Sequence, residues 1–349
     1  MTTSPKKTAV VRPTVRSIAS ALDLSRSTVS NALRGLPGVK IETMHRVQKA
    51  ATEMGYAVHP FASEVMSQLR RKIRNMSIGT LAVLEVDEPN LPPVAQNFNG
   101  RLFEGVEERA AENGFSVTRW PLGEKSFSLK RVNKILQARG IEGLLFLPSW
   151  LEPNYQELDW TKFTAVYIDY LIDQPKINTV CSDHFRRIFD AMDNARARGY
   201  TRPGFAVQRR LNERLNGRFV GAYLGYLHDH PEMAHVPPLL VDEFTPEVFL
   251  PWYTANRPDV VITHWLDAPR YMTEAGADIP HRDGYICLSL LGAPPQFSGF
   301  DQQPKLLGAR AAEMVISQLA RHDHGAPMFP TNTLMPAVWV EGATVAPRL

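Results

Sequence analysis

The sequence predicts a small all-α head of three short helices followed by a two-lobed α/β body of doubly wound parallel sheets. Three observations carry this. Residues 14–54 place apolar side chains at helical spacing, interrupted twice by turn residues. From residue 76 onward short strand-like runs alternate with amphipathic helical stretches, the texture of βαβ units. The charge also divides: residues 1–75 hold thirteen Lys and Arg against four Asp and Glu, or +9, so a chain of net +3 leaves −6 for the remainder. A basic head on an acidic body suits a polyanionic partner held by the head alone.

Residues 1–13 carry little apolar content and are expected to be disordered. Val15, Ile18, Ala19 and Leu22 then fall at i, i+3, i+4 and i+7, with Thr14 a fitting N-cap. Asp23 and Leu24 turn the chain, and Ser25 caps a second helix that runs to Leu33 with Val29 and Leu33 inward. Gly35, Pro37 and Gly38 form a loop. Met44, Val47, Ala51 and Met54 face inward from a third helix that ends at Gly55, completing a head over 14–58. Residues 59–75 open on His59-Pro60, close on a basic run ending at Arg74, and read as a hinge or linker of conditional helicity.

In the body, 76–349, strands are expected at 77–86, 115–119, 143–147, 163–169, 178–181, 204–207, 239–241, 260–263, 285–291, 333–334 and 337–340. Helices are expected at 99–113, 129–139, 185–198, 217–228 and 305–320. So long a stretch exceeds one comfortable core, which divides it into lobe one (76–185 and 297–325) and lobe two (186–296 and 326–349). Ligands of such folds bind beyond the carboxyl ends of the strands, here in the cleft between lobes.

Composition narrows the classes. With 44% hydrophobic and 21% charged residues the chain is ordinary globular protein, and no apolar run approaches a membrane span. Arg12, Pro13 and Arg16 interrupt the N-terminal apolar residues before a signal-peptide core forms, so a cytoplasmic protein is expected. Cys181 and Cys287 lie in apolar runs and read as reduced core thiols. The His-Asp-His triplets at 228–230 and 322–324 lack the i, i+4 spacing and the cysteines of a zinc site, so no metal is expected. No glycine-rich phosphate cradle and no Gly-x-Ser-x-Gly elbow is present, so neither a cofactor nor an enzyme is expected.

The stretch from Thr14 to Gly35 resembles the DNA-binding domain of the lac repressor family (LacI/GalR type). Ile18-Ala19, Leu24-Ser25, Thr28-Val29-Ser30, Leu33 and Gly35 match in strict order. Thr43, Val47, Ala50-Ala51 and Met54-Gly55-Tyr56 carry the match through the third helix. In a helix-turn-helix the second helix enters the major groove with its first residues over base edges. Arg26, Ser27, Ser30 and Asn31 are the exposed residues there, with Thr28 beside them. Arginine pairs bidentately with guanine and asparagine with adenine, whereas Ser25, Thr28 and Ser30 suit phosphate oxygens. The resemblance implies base-reading roles for Arg26, Ser27 and Asn31 and adds Thr14, Arg34, Thr43 and Tyr56 to the DNA-binding set. Many members carry Arg where Asn31 stands, which implies a different base at that half-site position. It also implies a homodimer on a pseudo-palindromic double-stranded operator, with a hinge that wedges an apolar side chain into the minor groove. Val65, Met66 and Leu69 are the wedge candidates, and packing on the body or a partner subunit is the equal alternative. The hinge departs from the pattern, with Pro60 late and Phe61 where Asn is customary.

The body resembles the same family, whose fold is that of periplasmic sugar-binding proteins. Arg214-Leu215-Asn216-Gly217, followed by Ala222, looks like the family's Arg-x-x-Gly element, whose arginine contacts the effector. Asp169 at a strand end matches another pocket position, and Asp183 lies near a crossover between lobes. Trp150, Trp265 and Tyr170 offer faces for sugar stacking, although large aromatics in such proteins more often belong to the core. Two departures stand out: Trp265-Leu266, with Asp267 one place on, replaces the common Asn-Asp, and Leu288-Ser289-Leu290 replaces Gly-aromatic-Asp. The resemblance implies a repressor of carbohydrate-related genes, controlled by a sugar-like effector between the lobes. The alternative is a body that only dimerises or binds protein. Residues 341–349 lack heptads, so a dimer is expected rather than a tetramer.

Overall fold

The computed structural model describes residues 15–33, 39–54, 78–123, 126–151, 154–169 and 174–348, except for the side chains of residues 15, 16, 26, 27, 30 and 31. The chain divides into two compact units, Met1–Asn75 and Met76–Leu349. In the first, α1 (Val15–Leu22), α2 (Arg26–Leu33) and α3 (Ile41–Glu53) enclose Ile18, Ala19, Val29, Ala32, Val47 and Ala51. Asp23 takes a left-handed φ of 54°, and the Leu24 N–H returns to the Ala19 carbonyl at 3.0 Å, which ends α1. The expected disordered 1–13, the loop at 34–38, the Gly55 cap and the hinge at 59–75 lie outside the described residues.

The second unit runs β1 (Gly79–Val86), α4 (Pro93–Glu112), β2 (Phe115–Leu122), α5 (Leu129–Ala138), β3 (Gly143–Phe146), β4 (Thr164–Ile168), β5 (Asn178–Ser182) and α6 (His184–Ala197). It continues with β6 (Pro203–Gln208), α7 (Arg209–Arg214), α8 (Arg218–Asp229), β7 (Leu239–Val241), α9 (Pro246–Asn256), β8 (Val260–Thr263), α10 (Ala268–Glu274) and β9 (Gly284–Cys287). β10 (Gly299–Asp301), α11 (Pro304–Arg321), β11 (Asn332–Met335) and β12 (Val338–Val340) close it. Two six-stranded sheets result, ordered β2-β1-β3-β4-β5-β11 and β7-β6-β8-β9-β10-β12. Every pairing is parallel except β10 with β12. Both faces of each sheet are covered, as parallel sheets require. Along β1, Leu81 and Val83 face the core of α4 and α11, while Ala82 and Leu84 face that of α5. In lobe two, Val260 and Ile262 face α6 and α8, while Val261 faces α9 and α10.

Several boundaries move. Periodicity gives 297–325 to lobe one and 326–349 to lobe two. Instead β10 pairs with β9 in lobe two, and β11 pairs with β5 in lobe one. The chain therefore crosses between lobes near Asp183, near Gln302 and near Pro336. Strands of three or four residues are placed by register with a neighbour, which periodicity does not see. The helix expected at 99–113 begins at Pro93, where proline's fixed φ suits a first turn. α7, α9 and α10 were not expected; Pro251 inside α9 removes a helical donor and disguises Phe249 and Tyr253 as a loop. The strand expected at 285–291 stops at Cys287. Among the described residues no helix is long and apolar enough to cross a membrane.

α4 and α11 cross through glycines. A Cβ on Gly308 would fall on the Leu102 carbonyl, and one on Gly105 on the Lys305 carbonyl, whereas a Cβ on Gly100 meets nothing within 4 Å. Gly308→Ala is therefore expected to destabilise the body by about 1–3 kcal/mol through overpacking. Gly100→Ala, on the same helix as Gly105, is expected to stabilise by about 0.5–1 kcal/mol through helix propensity. Denaturant melts of the two variants check this, and effects of the same sign would contradict the close approach.

Candidate functional site

In the first unit, Ser25 heads α2. Its Oγ accepts from the Thr28 N–H at 3.0 Å and lies 2.8 Å from the Thr28 hydroxyl, the geometry of an N-cap. Both residues thus set the start and direction of α2. Arg26, Ser27, Ser30 and Asn31 fall within α2, and their side chains lie outside the described residues. Thr43 is half-buried in the first turn of α3. Thr14, Arg34, Tyr56, Val65, Met66 and Leu69 lie outside the described residues.

In the body, each sheet reverses its winding beside its first strand, between β1 and β3 in lobe one and between β6 and β8 in lobe two. Open α/β sheets leave a crevice at such points. An opening of about 410 Å³ lies there, lined by Glu88, Pro89, Asn90 and Pro92 after β1, Trp150 and Leu151 after β3, and Gln208 and Arg210 after β6. Trp150, from lobe one, has the guanidinium carbons of Arg210 and Arg214 5.6 and 5.5 Å from its ring centroid, and Arg210 also donates to the Trp150 carbonyl. The structure thus brings together the two expected residues Trp150 and Arg214. Asn216 and Gly217, both at positive φ, turn the chain from α7 into α8 and set Arg214 and Arg218 on either side of the bend.

A second group is buried where the chain first crosses between lobes. Asp169 follows β4 at φ 66°, and its Oδ1 accepts from the Ser182 N–H at 3.2 Å. His184 Nε2 stands 3.5 Å from that oxygen without a hydrogen bond. Arg187 donates to the Leu288 carbonyl at 2.8 Å, the Ser182 hydroxyl at 2.9 Å and His184 Nδ1 at 2.6 Å. With its amide oxygen turned inward, Gln302 accepts from the same guanidinium, at 3.2 Å from Nη2. Asp169, Cys181 and His184 have ligating atoms within 4.8 Å of one another, close enough to hold a metal. The chemistry does not fit one. The Arg187 bond to Nδ1 assigns the imidazole proton to Nε2, and burial pushes the Cys181 thiol well up, so it stays protonated and donates to the Asp169 carbonyl.

The remaining expected residues are engaged elsewhere. Asp183 caps α6 by accepting from the Arg186 N–H at 3.0 Å. Trp265 stacks on Phe244 at 4.3 Å and 11°, packing within lobe two. Asp267 is exposed and pairs with Arg270 at 3.2 Å. Tyr170 lies outside the described residues. Sequence reasoning missed His184, Arg187, Arg210, Arg218 and His264. One signal was there to be read: His184, Arg187, Ile188, Ala191, Met192 and Ala195 form the buried stripe of α6, and an arginine on an apolar stripe needs a partner.

Known proteins resemble this chain in sequence and in fold. The HTH-type transcriptional repressor CytR of Escherichia coli K12 is 26% identical over 192 residues, 55% of this chain and 52% of that protein. The regulator KdgR of Bacillus subtilis is 23% identical over 203 residues, 56% of this chain and 54% of that protein. The chain thus spans about half the length of the curated relatives it matches, and no family model matches it. Among solved structures, the regulator CelR in complex with cellobiose superposes with a TM-score of 0.60 at 19% identity over 95% of this chain and all of that one. The lac repressor dimer bound to operator and the anti-inducer ONPF superposes with a TM-score of 0.56 at 17% identity, over 96% of this chain and 99% of that one. The chain is similar in sequence to these regulators and shares the fold of CelR and the lac repressor. At the two departures from that resemblance, Leu290 packs on the lobe-two core under α9 and α10, and Trp265 stacks on Phe244, which packs on the same core.

Burial, with the nearby Arg187 charge, pushes His264 down from 6.5 to about 4, and the same two causes lower His184. An imidazole depressed in the folded state contributes stability that is complete above its unfolded pKa and is lost as the pH falls toward the folded value. Stability of the body is therefore expected to decline from pH 6.5 toward 4, with His264 contributing at most about 3 kcal/mol of the loss. In His264→Gln the slope between pH 6.5 and 5, above most carboxylate titration, should flatten. Unchanged slopes in denaturant melts would place the titrating group elsewhere.

Proposed function

We propose that the protein is a sequence-specific, DNA-binding transcriptional regulator, a homodimeric repressor controlled by a small carbohydrate-like effector held between the lobes of its body. The observation that carries this is the joining in one chain of a capped three-helix unit to a two-lobed body that opens at both winding reversals. The solved lac repressor dimer with operator and the CelR–cellobiose complex superpose on nearly the whole chain, and the curated relatives are named as transcriptional repressors or regulators rather than enzymes. In this reading Arg26, Ser27 and Asn31 meet base edges, and Ser25, Thr28, Ser30, Thr43, Thr14, Arg34 and Tyr56 serve the phosphates or hold the reading helix. One of Val65, Met66 and Leu69 wedges the minor groove. Arg214, Trp150 and Asp169 receive the effector. Two-fold symmetry makes the operator pseudo-palindromic.

A body that only dimerises is the second reading. It has in its favour the packing of Trp265 and Leu290 into lobe two, where the family places polar effector contacts. The opening beside Trp150 weighs for an effector.

Selection of binding sites from random duplex DNA by the full-length protein tests the reading. A pseudo-palindromic consensus is expected, and Asn31→Ala should relax one symmetric position at a cost of about 1–3 kcal/mol. Binding without a consensus, falling only with salt, would reduce the head to a backbone binder.

A further inference from the structure

We infer that the turn at Leu290–Ala293 is a clasp: lobe two sets the side chain of Leu291 on the core of lobe one and so holds the cleft drawn together with no ligand bound. This concerns the resting state of the body and stands whether or not an effector enters it.

The turn springs from lobe two. The Leu290 N–H donates to the Phe300 carbonyl of β10 at 2.9 Å, and the Ala293 N–H donates back to the Leu290 carbonyl at 3.0 Å. Gly292, third of the four residues, takes the left-handed φ of 76° that glycine supplies to such turns. Leu290 and Ala293 pack on the lobe-two core, which fixes the base of the turn. Leu291 packs instead on the lobe-one core that β1, α4 and α11 share, and among the described residues it is the one apolar side chain of lobe two that does so. The tip also meets the first turn of α4, since a Cβ on Gly292 would lie 3.6 Å from Val94 Cγ2. Pro92, two residues before Val94, lines the opening. The clasp therefore sits at the mouth of the cleft, apart from the Arg187 bonds at the crossings.

The two ties at the mouth differ in kind. When the lobes part, Arg210 and the Trp150 carbonyl exchange their bond for bonds to water, so that tie favours closure only weakly. Leu291 has no such compensation. It is half-buried in the closed body, Val94 is 44% exposed, and parting would bare both side chains further to water. A tie made through a ligand acts only while the ligand is bound, whereas one made by the chain's own side chain acts at all times. Closure is then the default, and a ligand shifts it only by what it adds to that default or takes from it.

Double electron–electron resonance on the full-length protein tests this, with nitroxides on Asn90→Cys and Asp242→Cys, exposed residues after β1 and after β7 on opposite lobes. Cys181 and Cys287 are buried and escape the label. In the otherwise native chain, without ligand, one narrow distance distribution is expected. Leu291→Asp sets a carboxylate against an apolar core and should move most of the pairs to a longer distance. Val94→Asp should do the same from the lobe-one side. Its site is partly exposed and lies in the first turn of a helix, which tolerates an acidic residue, so it serves if Leu291→Asp fails to fold. Leu291→Met conserves volume and should keep the short distance. A long or broad distribution in the otherwise native chain without ligand, or a short one kept by both Asp variants, would overturn the clasp.

Discussion

A guanidinium shut away from water stands where the chain passes between the two lobes. Placing a cation there costs several kcal/mol unless its donors are met and its charge is answered. Arg187 is met from three directions: by the Leu288 carbonyl after β9 of lobe two, by Ser182 and His184 on either side of the first crossing, and by Gln302 at the second. The third crossing joins the same node through the Asp183 N–H, which donates to the Met335 carbonyl at 2.7 Å. Even so, burial holds Arg187 down to about 10, with Asp169 the chief charge opposing the shift. The lobes cannot turn against each other without carrying these bonds along or breaking them, so the node fixes which interlobe arrangements are low in energy.

The surrounding protonation states follow from that cation. His184 offers Nδ1 to Arg187 and so stays neutral, and His264 is held neutral by its own burial and the same charge. Asp169 has to reach this corner from the end of β4, and it does so with a left-handed backbone, a conformation that aspartate tolerates better than most side chains. The thiol of Cys181 donates to the Asp169 carbonyl in place of a stronger donor. Together they form the floor on which the cleft stands.

The head and the layering of the body were legible in the sequence because both rest on periodicity. Ile18, Ala19, Val29, Val47 and Ala51 are buried where helical spacing puts them, and β1 and β8 are buried on both faces, as unbroken apolar runs in parallel strands require. Arg214 came from its motif position and Trp150 from its aromatic face, and the structure brings them together. What stayed hidden depends on contacts between distant segments. β10 and β11 are too short to announce their lobe, and Pro251 argues against the helix that contains it. Arg187 went unread in the sequence, since its partners at 288 and 302 are remote in it. Trp265 looked like a stacking platform because nothing local foretells that Phe244 occupies its face.

A ligand shifts a two-state equilibrium only by the difference in its affinity for the two states. In this body that difference has a definite seat. Arg210 and Arg214 belong to lobe two and Trp150 to lobe one, so their contact exists only while the lobes are drawn together. A ligand entering beside Trp150 has either to replace that contact or to add to it. Replacing it loosens the lobes at the mouth while the Arg187 node still holds at the crossings, which makes the motion a hinge about the node rather than a separation. Adding to it strengthens the arrangement already present. For the effector proposed above, the sign of the response would be set by whether the ligand competes with Arg210 for the Trp150 face and carbonyl, a property of one contact at the mouth and not of the cleft as a whole.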